Sequence, residues 1–189
     1  MIKPYLKNNL FEGIVSKEEY LLMYNADVLD KNNTVLISIH DPNRAVHPIE
    51  KVKGWADVLQ IQFWDIEEDI GDYRVITNEQ GNTIREFIEK HKDKRFMIHC
   101  AAGVSRSAGV GCAVECIVNF DGSAYYYLTG SSDIKAHNRY SPNYTVFRAI
   151  VDSVDIADTL TTNTCEEINL CRKCGSVNKS TTYCAKCSK

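Results

Sequence analysis

The chain has 189 residues, which suits one domain of medium size with a small appendage. Hydrophobic residues make up 44% and charged residues 25%, the composition of an ordinary globular protein. A formal net charge of −3 gives no global reason to expect binding to nucleic acid or to an anionic membrane.

The amino-terminal residues, MIKPYLKNNLFEG, contain no apolar run long enough for a signal peptide or a membrane span. We therefore expect a protein of the reducing cytoplasm that makes no membrane contact. Five of the eight cysteines are crowded into the last 25 residues. This clustering does not fit the disulfide framework of a small secreted protein.

The first predicted elements are a helix and two strands. Ser16 and Glu19 have the spacing of a capping box ahead of an apolar stripe, which predicts a helix over 16–27. Residues 34–40 and 58–64 are short, apolar and rich in branched side chains, which is typical of strands.

The second half of the domain alternates in the same way. Apolar residues recur with the helical period over 78–94, and residues 95–100 predict a third strand. From Ser105 onward, small residues predict a closely packed, buried helix. A last helix is predicted over 141–155, starting at Pro142, because proline suits the first helical turn.

The alternation of strands and helices predicts an α/β domain over residues 1–155, with a mainly parallel central sheet flanked by helices. Within it, residues 121–140 are predicted to form a short helix and a loop. Residues 156–169 lose this periodicity and are predicted to be a linker, and 170–189 form a separate small unit.

The chemistry is concentrated in FMIHCAAGVSRSAG, which joins the third strand to the buried helix. A strand that turns into a helix leaves backbone N–H groups around a concavity at the positive end of the helix dipole, and such a place binds phosphate. Gly103 allows a tight curl, and Arg106 can add two charge-assisted hydrogen bonds. The same field stabilises a thiolate at Cys100, which predicts a sulfur nucleophile held against a phosphoryl group.

The stretch HCAAGVSRSAG resembles the His-Cys-x5-Arg-Ser signature of cysteine-dependent protein phosphatases, and most of all their dual-specificity branch. The resemblance covers about residues 34–151 and implies a protein-tyrosine-phosphatase-like fold. It implies that Cys100 is the nucleophile, that Arg106 clamps the phosphate, that Ser107 helps sulfur to leave and that His99 tunes the thiolate. The backbone N–H groups of the phosphate cradle would be those of Ala101, Ala102, Gly103, Val104, Ser105 and Arg106.

Such a reaction needs an acid that protonates the leaving oxygen. The stretch LQIQFWDIEED resembles the family's strand and aspartate loop, which implies Asp65. Four neighbouring carboxylates remain alternatives: Glu67, Glu68, Asp69 and Asp72. Further along, NRYSPNYTVFRAI resembles the family's Pro-Asn-x-x-Phe segment. This implies that Asn143 braces the loop of the cradle, residues 101–106, which we call the phosphate loop.

Other residues of these types have simpler interpretations. Cys112 and Cys116 lie one helical turn apart, which indicates core packing rather than a metal pair. His40 and His47 flank a segment that matches nothing in the family. They either edge the pocket or belong to a solvated loop.

The tail contains two Cys-x2-Cys pairs, and four thiolates at this spacing are typical of a structural zinc site. The predicted zinc ligands are Cys171, Cys174, Cys184 and Cys187. So short a segment needs the metal for its folding free energy, and a closed four-cysteine site leaves no position for catalysis. The tail is basic from Cys171 onward, which makes docking to a protein or to nucleic acid a candidate role beside simple solvation.

These features predict a cytoplasmic phosphoprotein phosphatase that acts through a cysteinyl-phosphate intermediate, with no cofactor for catalysis. Phosphotyrosine is the first expected substrate, and phosphoserine and phosphothreonine are further candidates. Two alternatives are an RNA 5′-phosphatase of the same superfamily and an adaptor that binds phosphorylated partners without cleaving them. A phosphoinositide phosphatase is less favoured, because the loop AAGVS carries no lysine.

Overall fold

The structure, a computed structural model, describes residues 9–119, 132, 134, 137–151, 169–170 and 177–178. The chain divides into two compact units, Met1–Ser153 and Val154–Lys189. In the first unit the strands are β1 (Phe11–Ser16), β2 (Thr34–His40), β3 (Val58–Gln62) and β4 (Arg95–Cys100). Among its described residues the α-helices are α1 (Lys17–Asn25), α2 (Asn78–Lys90), α3 (Arg106–Asn119) and α4 (Tyr144–Val151).

The four strands form one sheet in the order β1-β4-β2-β3, and every pairing is parallel. The predicted α/β class with a parallel sheet is therefore confirmed for the described part of the chain. Because the strands are parallel, their carboxyl ends meet at one edge of the sheet. The loop that follows Cys100 leaves this edge from β4, between β1 and β2.

Each face of the sheet is covered by its own apolar core. The side chains of β4 alternate between the faces, as the period of a strand requires. Phe96, Ile98 and Cys100 pack in the larger core with residues of α2, α3 and α4, whereas Met97 packs in the smaller core with Tyr20 of α1. Successive residues of this strand therefore lie in different surroundings.

The predicted capping box of α1 is confirmed. Glu19 N donates to Ser16 Oγ over 3.1 Å, and Ser16 N donates to a Glu19 carboxylate oxygen over 2.8 Å. These two bonds satisfy backbone donors that the first helical turn leaves free. The helix therefore begins directly after β1, with no intervening loop.

The amino-terminal strand and the start of the last helix differ from the sequence prediction, and β3 and α2 end earlier than predicted, at Gln62 and Lys90. Residues 11–16 form a strand that was not predicted, with a register irregularity between Phe11 and Gly13. The predicted start of the last helix at Pro142 is wrong, because α4 begins at Tyr144. Asn143 is its cap, since Asn143 Oδ1 accepts a 3.0 Å hydrogen bond from Val146 N.

The second unit is described only where Asn169–Leu170 (β5) pairs with Val177–Asn178 (β6) in antiparallel fashion. The predicted zinc ligands Cys171, Cys174, Cys184 and Cys187 lie outside the described residues, as do positions 156–168 of the predicted linker. Within the described parts of the chain, we find no helix with the length and apolar character needed to span a bilayer.

Helices α2 and α4 approach each other closely at Gly81, where an added Cβ would lie 2.1 Å from the carbonyl oxygen of Ala149. We expect Gly81→Ala to lower the free energy of unfolding by about 1–3 kcal/mol, because overpacking outweighs the better helix propensity of alanine. Urea denaturation measures this change. Asn82→Ala, on the exposed side of the same helix, should change stability by less than about 0.5 kcal/mol. Equal effects of the two substitutions would contradict the close approach.

Candidate active site

The loop between β4 and α3 curls around the sulfur of Cys100. Gly103 N donates to Cys100 Sγ over 3.2 Å, and Ser107 Oγ lies 3.2 Å from the same sulfur. Cys100 is only 1% exposed. The thiol therefore lies at the base of the loop, with one backbone N–H and one hydroxyl in contact.

Gly103 is required for this curl on two grounds. Its φ of +72° lies in the left-handed region, which residues with a Cβ rarely adopt. A Cβ at this position would also lie 2.3 Å from Ser16 N and from the carbonyl carbon of Val15. Lys17 N donates to Ala101 O over 3.3 Å, which joins the loop to the junction of β1 and α1.

The far side of the loop is fixed by the segment that precedes α4. Ser141 N donates to Val104 O over 3.0 Å, and Asn143 N donates to Ser105 O over 3.2 Å. Gly109 N also donates to Ser105 O, over 2.8 Å, as the first turn of α3 forms. These three hydrogen bonds hold the carbonyl groups of Val104 and Ser105 and so help to fix the curvature of the loop.

Arg106, the first residue of α3, is 3% exposed and is held from two sides. Its Nη1 donates to Phe63 O over 2.8 Å, and its Nη2 lies 2.8 Å from Asp41 Oδ1. Sequence reasoning missed Asp41. The only available signal was its position directly after a strand of a parallel sheet, where site residues tend to lie.

Asp65 lies beside the same loop. Its Oδ1 accepts hydrogen bonds from Ser105 Oγ over 2.7 Å and from Asn143 Nδ2 over 3.1 Å. Its Oδ2 is 3.9 Å from Arg106 Nε. The structure thus brings Asp65 and Asn143 together beside the loop that follows β4.

Two of the four competing carboxylates make other contacts. Glu67 Oε1 accepts a hydrogen bond from Tyr144 N over 3.3 Å at the start of α4. Asp69 accepts from Val75 N over 2.9 Å and lies 3.8 Å from Arg74 Nε. Of these three carboxylates, Asp65 is the one placed against the loop.

His99 faces away from the loop, into the core on the α1 side. Its Nε2 is 2.8 Å from Ser38 Oγ, and the Tyr20 ring stacks on it with centroids 4.5 Å apart. Burial, together with the neighbouring His47 and His40, holds the pKa of His99 well below its usual value. The imidazole is therefore neutral at neutral pH.

His40 and His47 do not belong to a solvated loop, because they are 4% and 5% exposed. Burial is the main cause that lowers the pKa of His47, to about 4. His40 also borders an open recess of about 270 Å³ beside the phosphate loop. The recess is lined by Lys17, Ile39, His40, Asp41, Arg44 and Ala101.

No protein-family model matches this chain, and no curated protein matches it. Solved structures with a similar fold include the human tyrosine phosphatase-like serine/threonine/tyrosine-interacting protein. The two sequences are 16% identical, and the match covers 75% of this chain and 86% of that chain with a TM-score of 0.48. PTPMT1 is 19% identical over 75% of this chain and 89% of its own, with a TM-score of 0.48. A mouse putative dual specificity phosphatase is 14% identical over 68% and 74%, with a TM-score of 0.46. The likeness to these structures concerns the fold alone.

The contact at Gly103 leads to a prediction about anion binding. We expect Gly103→Ala to weaken tungstate binding at least about tenfold, since the loss of one well-placed charge-assisted hydrogen bond already has this effect. Thermal stabilisation by tungstate measures the affinity.

Gly71→Ala is the matched control, because Gly71 also has a positive φ, +58°, but nothing within 4 Å of an added Cβ. It should carry a similar backbone strain of about 1–2 kcal/mol and bind tungstate as the wild type does. Unchanged tungstate binding in a folded Gly103→Ala protein would contradict the role given to the loop curvature.

Proposed function

We propose that this chain is a cysteine-dependent phosphatase that hydrolyses phosphotyrosine in proteins, with phosphoserine and phosphothreonine as further substrates. The observation that carries the proposal is the convergence of three groups on one loop: the Cys100 sulfur, the Arg106 guanidinium and the Asp65 carboxylate. The groups come from β4, from α3 and from the segment after β3. Each supplies a different part of a phosphoryl transfer.

In the first step the loop N–H groups and Arg106 bind the phosphate, and the Cys100 thiolate attacks phosphorus. An S–P bond forms and the P–O bond to the leaving phenolate breaks. Protonated Asp65 gives its proton to that oxygen. The contacts of Arg106 with Phe63 O and Asp41 orient the guanidinium before substrate arrives.

In the second step a water molecule attacks phosphorus and the S–P bond breaks. The Asp65 carboxylate accepts a proton from the water, and inorganic phosphate is released. Ser107 Oγ, 3.2 Å from the sulfur, donates a hydrogen bond to the departing thiolate. This bond favours the second step because it stabilises the negative charge that returns to sulfur.

A binding module that does not cleave its ligand is the main alternative. Such a module needs the cradle and the arginine, but it needs neither a thiol at the base of the loop nor a hydroxyl beside that thiol. The presence of Cys100, Ser107 and Asp65 together therefore favours hydrolysis. The mechanism requires a free thiol, and Cys100 is free in the structure. A reducing cytoplasm, which keeps such a thiol reduced, is the proposed location.

The tail is proposed to hold one structural zinc through Cys171, Cys174, Cys184 and Cys187, with no part in catalysis. The antiparallel pair Leu170 and Val177, which brackets the first Cys-x2-Cys pair, supports a small ribbon. The basic side chains of this ribbon are then candidates for docking a protein substrate or a nucleic acid.

The proposed mechanism predicts hydrolysis of para-nitrophenyl phosphate in the presence of EDTA, and its loss to background in Cys100→Ser. Cys112→Ser is the control, because Cys112 is a buried cysteine of the α3 core away from the loop. A folded wild type that binds vanadate without turnover would favour the binding module. Turnover that persists in Cys100→Ser, or that EDTA abolishes, would contradict the cysteine mechanism.

The wild type and Cys100→Ser also distinguish between the substrate classes. We expect higher kcat/KM for phosphotyrosine peptides than for phosphoserine or phosphothreonine peptides, and little release of phosphate from triphosphorylated RNA ends. A preference for RNA ends would move the assignment to an RNA 5′-phosphatase.

The role of Asp65 predicts a dependence on the leaving group. Asp65→Asn should lower kcat for phenyl phosphate by about 10²–10⁴-fold, the usual contribution of a general acid, and should affect 2,4-dinitrophenyl phosphate much less. Dinitrophenolate needs no proton to leave. Asp69→Asn, which removes a carboxylate bound elsewhere, should leave both rates near the wild-type values. Equal losses for both esters in Asp65→Asn would show that the residue only positions the loop.

A further inference from the structure

Three of the five histidines of the chain converge in one buried cluster, which we call the histidine cluster: His40, His47 and His99. His40 ends β2, His99 precedes the nucleophile on β4, and His47 lies in the connection between β2 and β3. One ring nitrogen of each lies within 4.8 Å of a ring nitrogen of each of the others. The cluster faces the α1 side of the sheet, opposite to Cys100.

His47 has a buried ring nitrogen, Nε2, without a hydrogen-bond partner. A buried polar atom of this kind costs free energy unless a ligand satisfies it. Its backbone is fixed by Gln60, since His47 N donates to Gln60 Oε1 over 3.0 Å and Gln60 Nε2 donates to His47 O over 3.1 Å. The His47 ring is therefore held against the other two imidazoles, and its Nε2 has no hydrogen-bond partner.

We propose that the histidine cluster binds a divalent transition-metal ion of the zinc class. Imidazole nitrogens suit zinc, and three of them with one further position form a common tetrahedral set. Two nitrogens that are each about 2.1 Å from one tetrahedral ion lie roughly 3.4 Å apart, so side-chain shifts of about 1 Å would close the site.

Ser38 lies between two of the three rings, with its Oγ 2.7 Å from His40 Nε2 and 2.8 Å from His99 Nε2. A metal ion bound by these two nitrogens replaces their hydrogen bonds to the hydroxyl. The Ser38 oxygen is then close enough to take the fourth position.

The recess beside the phosphate loop gives an entry path, since His40 lines it together with Asp41. The cations Lys17 and Arg44 line the same recess, so the ion would bind less tightly here than at the four thiolates of the tail. The site lies outside the proposed reaction, because His99 points to the face of β4 opposite to Cys100. Ion binding would tie the connection holding His47 to β2 and β4, the strands that carry His40 and His99.

The test uses the full chain with Cys171, Cys174, Cys184 and Cys187 changed to serine, so that the tail binds no metal, and Co²⁺ as the probe. We expect uptake of one equivalent, with visible absorption bands and no thiolate charge-transfer band in the near ultraviolet. His47→Gln should weaken the affinity at least about tenfold, the loss that even an outer-shell change produces. His91→Gln is the control, because His91 lies at the carboxyl end of α2 and pairs with Asp57 instead of the cluster.

Circular dichroism shows whether His47→Gln is folded, and a second measurement needs no change in the cluster. In a Zn²⁺ titration followed by NMR of the histidine rings, the signals of the three cluster histidines should shift, and those of His91 and His137 should not. The proposal is overturned by no uptake at millimolar Co²⁺, by full affinity in His47→Gln, or by Zn²⁺ shifts confined to His91 and His137. A thiolate band in the serine-substituted chain would also overturn it, since the ion would then bind one of the remaining cysteines instead of the histidine cluster.

Discussion

The close approach of the phosphate loop to the end of β1 is the constraint on which the site depends. At Gly103 the backbone passes so near to Val15 and Ser16 that a single added carbon would overlap them. This approach bends the loop enough for the Gly103 amide to reach the Cys100 sulfur and places Arg106 at the start of α3. A wider loop would spread its N–H groups apart and leave the sulfur without its contacts.

The site also depends on Arg106, whose charged guanidinium is buried and has to be held in place. A guanidinium removed from water loses hydration, and this cost is offset only when its donors find good acceptors. Arg106 Nη1 finds an acceptor in the carbonyl of Phe63, and Nη2 finds one in the carboxylate of Asp41. In the proposed reaction the carboxylate has a second consequence, because an incoming phosphate would share the cation with it. Asp41 would thus favour an ordered empty site and oppose the binding of the anion.

Much of the fold could be predicted from the sequence because its signals are local. The runs at β2, β3 and β4 and the apolar period of α2 are properties of neighbouring residues, and so is the Ser16–Glu19 cap. β1 was missed because Gly13 interrupts its apolar run and Ser16 serves both strand and helix. For the site, the spacing of Cys100 and Arg106 carried the prediction. Asp41 and the histidine cluster could not be predicted, since their contacts arise only when β2, β4 and the connection holding His47 pack together.

The side chains of β4 point alternately to the two faces of the sheet, and this alternation decides which of them lies in the site. His99 and Cys100 are neighbours in the chain, yet one faces the α1 core and the other lies at the base of the loop. Both positions follow from the pairing of Val15 with His99 and of Ser38 with His99 across the sheet. A slip of one residue would exchange the two faces, turning the imidazole toward the loop and the thiol toward Tyr20. The apolar residues that fix the strand register, Phe96, Met97 and Ile98, therefore determine which side chain lies at the base of the loop, although they face the two cores themselves.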